Sequence, residues 1–528
     1  MTGTKRLARA GFEHLESGFD FVFGARWNPL YFLGALAWFF YWIVAVSGIY
    51  LYIFFDSGVH SAYESVEYMT HTQWYAAGIM RSLHRYASDA LVVVVLLHVI
   101  REYIMDRYKD ARWFSWIVGI PMLWLLYASG ISGYWVVWDQ LAQYVAIATT
   151  EWLDTLPLFG EPIARNFLHE TVLSGRFFSL MVFIHIAVPL ILLFVMWIHI
   201  QRHMHPSVNP PKGLALGSLA MMLGLSLAYP AVSQGPANLN QVPSTVGLDW
   251  FYLTLYPLLD VYSGEMLWVV VIAATFGLVI MPWFPPRHRA AAAKVDLPNC
   301  NGCGRCVADC PYSAITLEPR SDGDYHPKEA VVDAAKCVSC GICAAACPTA
   351  SPYRRRAALV PGIELPDATI AYLRRASTEA VEHLSGPARV LVYGCQTGVP
   401  IEDLQDSAVA AVKIPCLGAL PPSFLDFVIS RRMVDGVLLV GCREGDCRYR
   451  LGQEWTRQRL AQQRDPYLPG RVSRERIAIC WAGIGQLGKT AVQLEAFRNR
   501  LSGLAGSTGN GNLATASAQA AEHMETHG

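Results

Sequence analysis

The first 299 residues contain no cysteine. That excludes disulfides, thiolate-bound metals and covalently attached haem from more than half of the chain. No C-x-x-C-H run occurs anywhere. Charge is scarce too: charged residues make up 16%, and 42 Lys and Arg are balanced by 42 Asp and Glu. A net charge of zero gives no electrostatic footprint for a nucleic-acid partner. What is plentiful is apolar: 53% hydrophobic residues and 16 Trp in 528 residues, a membrane composition with room for several domains.

Six apolar segments are long enough to span a bilayer, at roughly 31–54, 77–100, 114–136, 177–200, 213–232 and 266–284. A single such run is as readily a buried core helix, but six in succession separated by polar loops are not. Residues 1–25, with Lys5, Arg6 and Arg9, are expected to form an interfacial helix rather than a cleavable signal. Cations mark one side. Arg101, Arg107, Lys109 and Arg112 follow the second segment, Arg202 and Lys212 the fourth, and Arg287, Arg289 and Lys294 the sixth. The opposite loops, 55–76 and 233–265, hold no Lys or Arg, and 137–175 holds only Arg165. The positive-inside rule therefore places both termini in the cytoplasm of a multi-pass bacterial or archaeal inner membrane.

His84 and His98 lie on the second segment, and His185 and His199 on the fourth, each pair 14 residues apart. On a helix that is about 21 Å of rise and within roughly 40° of whole turns. The two helices run in the same direction, so His84 faces His185 and His98 faces His199, enough for two bis-histidine b haems. Gly34 and Gly48, and Gly119 and Gly133, repeat the interval of 14 on the first and third segments. Without a Cβ each would let a flat macrocycle approach. Arg81 and Arg101 are candidate partners for the propionates. A lone membrane histidine is more simply a polar contact, and a glycine a packing notch. Neither explains one interval on four helices.

The cysteines begin with two runs of C-x2-C-x2-C-x3-C-P: Cys300, Cys303, Cys306, Cys310 and then Cys337, Cys340, Cys343, Cys347. This is the spacing of a bacterial two-cluster ferredoxin, in which the fourth cysteine serves the other cluster. One [4Fe–4S] set is therefore Cys300, Cys303, Cys306 and Cys347. The other is Cys337, Cys340, Cys343 and Cys310. Zinc would leave each fourth cysteine unexplained, and disulfides are unexpected in the cytoplasm. Further on, 388-ARVLVYGC-395, 411-AVKIPC-416, 435-DGVLLVGC-442 and 476-RIAIC-480 read as strands ending in cysteine. In a parallel α/β sheet Cys395, Cys416 and Cys442 would meet at one edge, joined by Cys447, as four ligands for a [2Fe–2S] cluster. Cys480 is a spare that any ligand position would accept.

Three resemblances organise the chain. Segments 81-RSLHRYASDALVVVVLLHVIR-101, 132-SGYWVVWDQ-140 and 185-HIAVP-189 resemble cytochrome b of the bc1 and b6f complexes, over about residues 25–285. That resemblance implies two b haems on the four histidines and exchange with a quinone. It departs at 247-GLDWFYL-253, only loosely similar to the Pro-Glu-Trp-Tyr quinol motif, so Asp249 is at best a stand-in for the glutamate; His203 and His205 mark the alternative inner site. The two cysteine runs resemble a ferredoxin. Segments 416-CLGALPPSFLDFVI-429 and 441-GCREGDCRYRLG-452 resemble the delta subunit of methyl-viologen-reducing hydrogenase, although 395-CQTG-398 offers one cysteine where that family usually has two.

The expected fold is multi-domain: a six-helix transmembrane di-haem cytochrome b bundle (1–290), an α+β ferredoxin (291–357), an α/β parallel-sheet iron–sulfur domain (359–500) and a disordered tail (502–528). The expected function is a membrane electron-transfer subunit, linking a cytoplasmic heterodisulfide-reductase-like flavoprotein to the quinone pool through clusters and haems. The expected partners are lipid, quinone, that redox complex and a second copy in a homodimer. The alternative is a redox-inactive anchor that docks a soluble complex. No dinucleotide-binding fingerprint or nucleophile constellation is assigned, so a substrate-converting site is expected on a partner.

Overall fold

The computed structural model describes residues 3–24, 26–109, 112–157, 163, 168, 173–201, 208–243, 245–284, 290–354, 359–444 and 446–507. The chain divides into two compact units, Met1–Arg289 and Ala290–Gly528.

The first unit is helical: α1 Gly3–Phe23, α2 Leu33–Phe54, α3 Ser61–Glu67, α4 Ile79–Ile104, α5 Trp113–Val137, α6 Gln140–Asp154, α7 Gly175–Gln201, α8 Lys212–Ala228, α9 Tyr256–Leu259 and α10 Gly264–Ile280. Among the described residues four are long and apolar enough to cross a membrane by length and composition: α2, α5, α7 and α10 with the turn that follows it. Helix α4 has the length, but Arg81, Arg85, Asp89 and Arg101 dilute its hydropathy. Helix α8 is 17 residues long and ends at Ala228 rather than 232. Pro230 follows within two residues and disfavours further helix. Helix α6 was expected as loop. Its start is fixed by Asp139, whose carboxylate accepts from Ala142 N at 2.8 Å and Gln234 N at 2.9 Å.

Two pairings dominate this unit: α2 along α4 and α5 along α7. Those pairings put the glycine helices against the histidine helices. Pro189, four residues after His185, cannot donate to its carbonyl, which loosens α7 at that turn. The Pro189 carbonyl accepts from Tyr41 of α2 at 2.9 Å. Helix α1 is tied to the end of α4 by Arg101, which donates to Glu16 at 2.9 Å with both side chains nearly inaccessible.

In the second unit two short antiparallel ribbons carry the cysteine runs. Strand β1 (Lys294–Val295) pairs with β4 (Ile363–Glu364), and β2 (Ile315–Pro319) with β3 (Lys328–Val332). The β4 pairing ties the chain beyond residue 357 back to the start of this region. Helices α11 (Arg305–Asp309) and α12 (Ile342–Ala346) each begin inside a cysteine run. A parallel sheet follows, ordered β6-β5-β7-β8, from β5 (Val390–Cys395), β6 (Val409–Ile414), β7 (Gly436–Gly441) and β8 (Ile477–Trp481). Its central strands are buried runs, as strands covered on both faces must be. Leu391, Tyr393, Val437 and Leu439 pack on one face with Leu373 of α13 (Ile370–Glu382) and Phe424 of α14 (Pro422–Ser430). Val390, Val392, Leu438 and Val440 pack on the other, with Leu494, Phe497 and Leu501 of α16 (Leu487–Ser507). Between these lies α15, Gly452–Leu460. Helix α16 runs through 502–507, the first residues of the expected tail; the rest of the tail is outside the described residues.

Leu391 is fully buried. Leu391→Ala is expected to cost about 2–5 kcal/mol, read as faster hydrogen exchange across β5 and β7 with the helices of the first unit unaffected.

Candidate functional site

At the first level of the helical unit His84 and His185 face each other, ring centroids 6.3 Å apart. Two imidazole nitrogens sharing a metal at about 2 Å each, on facing ring edges, give a centre separation of roughly this size. Each ring lies against its glycine. A Cβ on Gly48 would stand 3.0 Å from His84 Cε1, and one on Gly133 would stand 2.9 Å from His185 Cε1. His84 Nδ1 lies 2.9 Å from the Val44 carbonyl and 3.1 Å from Ser47 Oγ. His185 Nδ1 repeats this at 3.2 Å from the Ser129 carbonyl and 3.2 Å from Ser132 Oγ. A carbonyl only accepts, so Nδ1 carries the proton and Nε2 keeps its lone pair for a metal.

At the second level a Cβ on Gly34 would stand 3.6 Å from His98 Cε1, and one on Gly119 3.9 Å from His199 Cε1. His98 and His199 interact electrostatically. His199 Nδ1 is buried beside the Ser115 backbone, short of a well-formed hydrogen bond. His84 and His185 are thus brought together at one level, and His98 and His199 each lie against a glycine at the other. The donor set at the first level, neutral imidazoles facing each other beside notches a Cβ would crowd, fits haem; at the second level the two imidazoles lie against their glycines at ordinary contact distance.

Arg81 donates to Thr70 and, at 2.8 Å, to Ser233, with Glu67 at 3.6 Å. Arg101 is paired with Glu16. Both expected propionate partners therefore have protein partners here. Asp249 is buried, paired with Arg85, and its Oδ1 accepts from Phe251 N and Tyr252 N at 2.7 Å each. Burial opposes its charge, but those two N–H groups and the guanidinium outweigh it and hold the carboxyl below its ordinary range. An ionised, capped Asp249 is an anchor for the loop. Arg85 also reaches Tyr134 and lies 3.5 Å from Asp89, whose Oδ1 is buried without a hydrogen bond. His203 and His205 lie outside the described residues.

The thiols of the second unit lie close to one another. Cys306 interacts with Cys303, Cys347 and Cys300, and burial with these neighbours pushes its thiol up to about 12. Cys343 interacts with Cys340, Cys337, Cys306 and Cys310, so one thiol of the first run lies near both sets. A cavity lined by Cys310, Cys337, Cys340 and Cys343 is otherwise apolar, with Ala293, Ile315 and Leu365 among its walls. At the sheet edge Cys395 contacts Cys416 and Cys442, and Cys447 contacts the same two, closing a ring of four. Cys395 ends β5 and Cys442 follows β7 directly. The Leu417 N–H donates to Cys395 Sγ at 3.3 Å. Among the described residues no group of His, Cys, Asp and Glu would hold a single metal ion. The Cys310, Cys337, Cys340 and Cys343 thiols line a small apolar cavity, which fits a polynuclear cluster.

The chain has cytochrome b homologues. The family described as Cytochrome b/b6/petB matches residues 20–205. A 4Fe-4S dicluster domain matches 299–351, and the methyl-viologen-reducing hydrogenase delta subunit matches 401–505. Cytochrome b of Rhodospirillum rubrum is 26% identical over 341 residues, covering 56% of this chain and 83% of that protein. Cytochrome b of Rickettsia typhi is 25% identical over 289 residues, covering 48% and 71%. Cytochrome b6 of Porphyra purpurea is 29% identical over 189 residues, covering 35% and 86%. A chain of a hyperthermophilic respiratory Complex III is 22% identical, with a TM-score of 0.40, covering 48% of this chain and 75% of that one. Four apolar helices among the described residues, together with the cytochrome b homologues and the 4Fe-4S dicluster match, point to a multi-pass membrane electron-transfer subunit.

Sequence reasoning missed the serines. Ser47-Gly48 and Ser132-Gly133 repeat one dipeptide where the notch needs a glycine and the imidazole a partner, and that repeat was a usable signal. It also passed over 483-GIGQLG-488, which does carry a dinucleotide-type glycine spacing between β8 and α16. No βαβ unit follows among the described residues, and Thr490 is buried beside Cys480 rather than lining the loop.

Cys480 sits within β8 opposite Val440, fully buried among apolar side chains, 3.7 Å from Thr490 Oγ1. Cys480→Ala is expected to leave iron and acid-labile sulfide unchanged in anaerobically purified protein, whereas Cys447→Ser lowers both.

Proposed function

We propose that this chain is the electron-transferring subunit of a quinone-linked membrane oxidoreductase. It crosses the membrane six times with both termini in the cytoplasm, and links a cytoplasmic flavoprotein complex to quinone. The observation that carries this is the pairing of four histidines by level against four glycines, together with three sets of four thiols in the cytoplasmic unit.

Two b haems, two [4Fe–4S] clusters and one [2Fe–2S] cluster, when bound, each take up and release single electrons. His84 and His185 would hold one haem, and His98 and His199 the other. The Val44 and Ser129 carbonyls hold the first pair in the ligating tautomer. Cys300, Cys303, Cys306 and Cys347 would hold one cubane. Cys310, Cys337, Cys340 and Cys343 would hold the second. Cys395, Cys416, Cys442 and Cys447 would hold the two-iron cluster. Apolar walls keep water from the second set. The cation-rich loops after α4, α7 and α10 support the orientation. The delta-subunit match supports a hydrogenase- or heterodisulfide-reductase-like partner, and the cytochrome b match supports quinone.

Pyridine-haemochrome analysis should give two haem b per chain, with about ten non-haem irons. His84→Ala and His185→Ala should remove the same haem, and His98→Ala and His199→Ala the other. Protein without haem b would instead be an anchor for a soluble complex.

A further inference from the structure

Helix α15 joins the second ferredoxin-type thiol set to the sheet-edge set. Its first residue, Gly452, lies against Cys416 and Cys447 Sγ. Tyr449, just before it, interacts with both Cys340 and Cys416 and packs beside Cys340, Ile342 and Trp455. Trp455 Nε1 donates to the Asp309 carbonyl at 3.1 Å, beside Cys310. Arg459, 2% exposed, donates to the Asp309 carboxylate and, at 2.9 Å, to the Gly418 carbonyl, two residues after Cys416. One buried guanidinium therefore clamps both cysteine loops. The loops touch almost backbone to backbone. A Cβ on Gly341 would meet Ala419 Cβ at 2.8 Å, and one on Gly418 would meet Ile342 Cγ1 at 3.1 Å. Of the other site, Cys347 also packs against the core of the sheet.

We propose that this joint is where the Cys310/Cys337/Cys340/Cys343 site and the Cys395/Cys416/Cys442/Cys447 site exchange electrons, with Arg459 as the positioning residue. The Cys300/Cys303/Cys306/Cys347 site then lies one transfer further from the sheet edge. The step moves one electron from the iron of one site to the iron of the other; no bond is made or broken and no proton is transferred. The inference rests on the iron–sulfur reading given under the proposed function.

The test is electron paramagnetic resonance on the full chain, purified anaerobically and reduced with dithionite, after iron and sulfide are counted. The sheet-edge centre should relax several-fold faster when the neighbouring cubane is reduced. Cys303→Ser, which disables the outer site, should keep that enhancement. Arg459→Leu should keep the iron count and lose most of the enhancement, with partial rescue in Arg459→Lys. Ala419→Leu, a wedge at the contact, should reduce the same quantity if Arg459→Leu does not fold. Enhancement lost in Cys303→Ser would put the outer site at the joint and overturn the order. Full enhancement in Arg459→Leu, or in Ala419→Leu, would overturn the clamp. A chain with eight irons and no sheet-edge signal would instead sink the cluster reading itself, and the joint with it.

Discussion

The constraint on which the helical unit depends is the missing Cβ opposite His84 and His185. Glycine costs about 1 kcal/mol relative to alanine inside a helix, so Gly34, Gly48, Gly119 and Gly133 together forgo about 4 kcal/mol of intrinsic helix stability. An alanine at Gly133 would stand 2.9 Å from His185 Cε1 and force the ring or the helix to move. The α2–α4 and α5–α7 pairings, the Ser47 and Ser132 contacts and the fixed Nδ1 proton follow from that close approach. Intramembrane imidazoles are expensive polar groups, and their value lies in what they hold.

The second unit solves the same problem with a sheet. Parallel strands bring their carboxyl ends to one edge, so cysteines far apart in sequence meet there without a compact motif. The Arg459–Asp309 pair is a different kind of investment. Removing one partner of such a buried pair typically costs 3–5 kcal/mol, yet replacing both with apolar side chains is often neutral or better. Stability alone does not account for it. Its contacts with Gly418 and with the residue beside Cys310 give it a positioning role.

The chemistry-bearing residues were legible because their spacing is itself the signal. An interval of 14 marks one helix face at two depths, and C-x2-C-x2-C-x3-C allows few other uses. The strand-end cysteines were legible because near-continuous apolar runs ending in cysteine announce parallel strands covered on both faces. What stayed hidden was contact between distant segments. Arg85 and Asp249 are 164 positions apart, and nothing periodic relates them. Asp249 read as a stand-in for the quinol-site glutamate, and the fold caps it and pairs it with Arg85. Helix α6 escaped because its polar and apolar residues average to loop-like hydropathy. Cys480 could not be told from a ligand until the direction of β8 set it inside the core.

The central claim is that paired histidines connect this chain to quinone. The direct measurement is an anaerobic titration of the purified full chain with a quinol/quinone couple, following haem b absorbance. The account predicts that the fraction of reduced haem tracks the quinol/quinone ratio and shifts back when the ratio is reversed. A haem that dithionite reduces but that ignores the ratio at every value would contradict it.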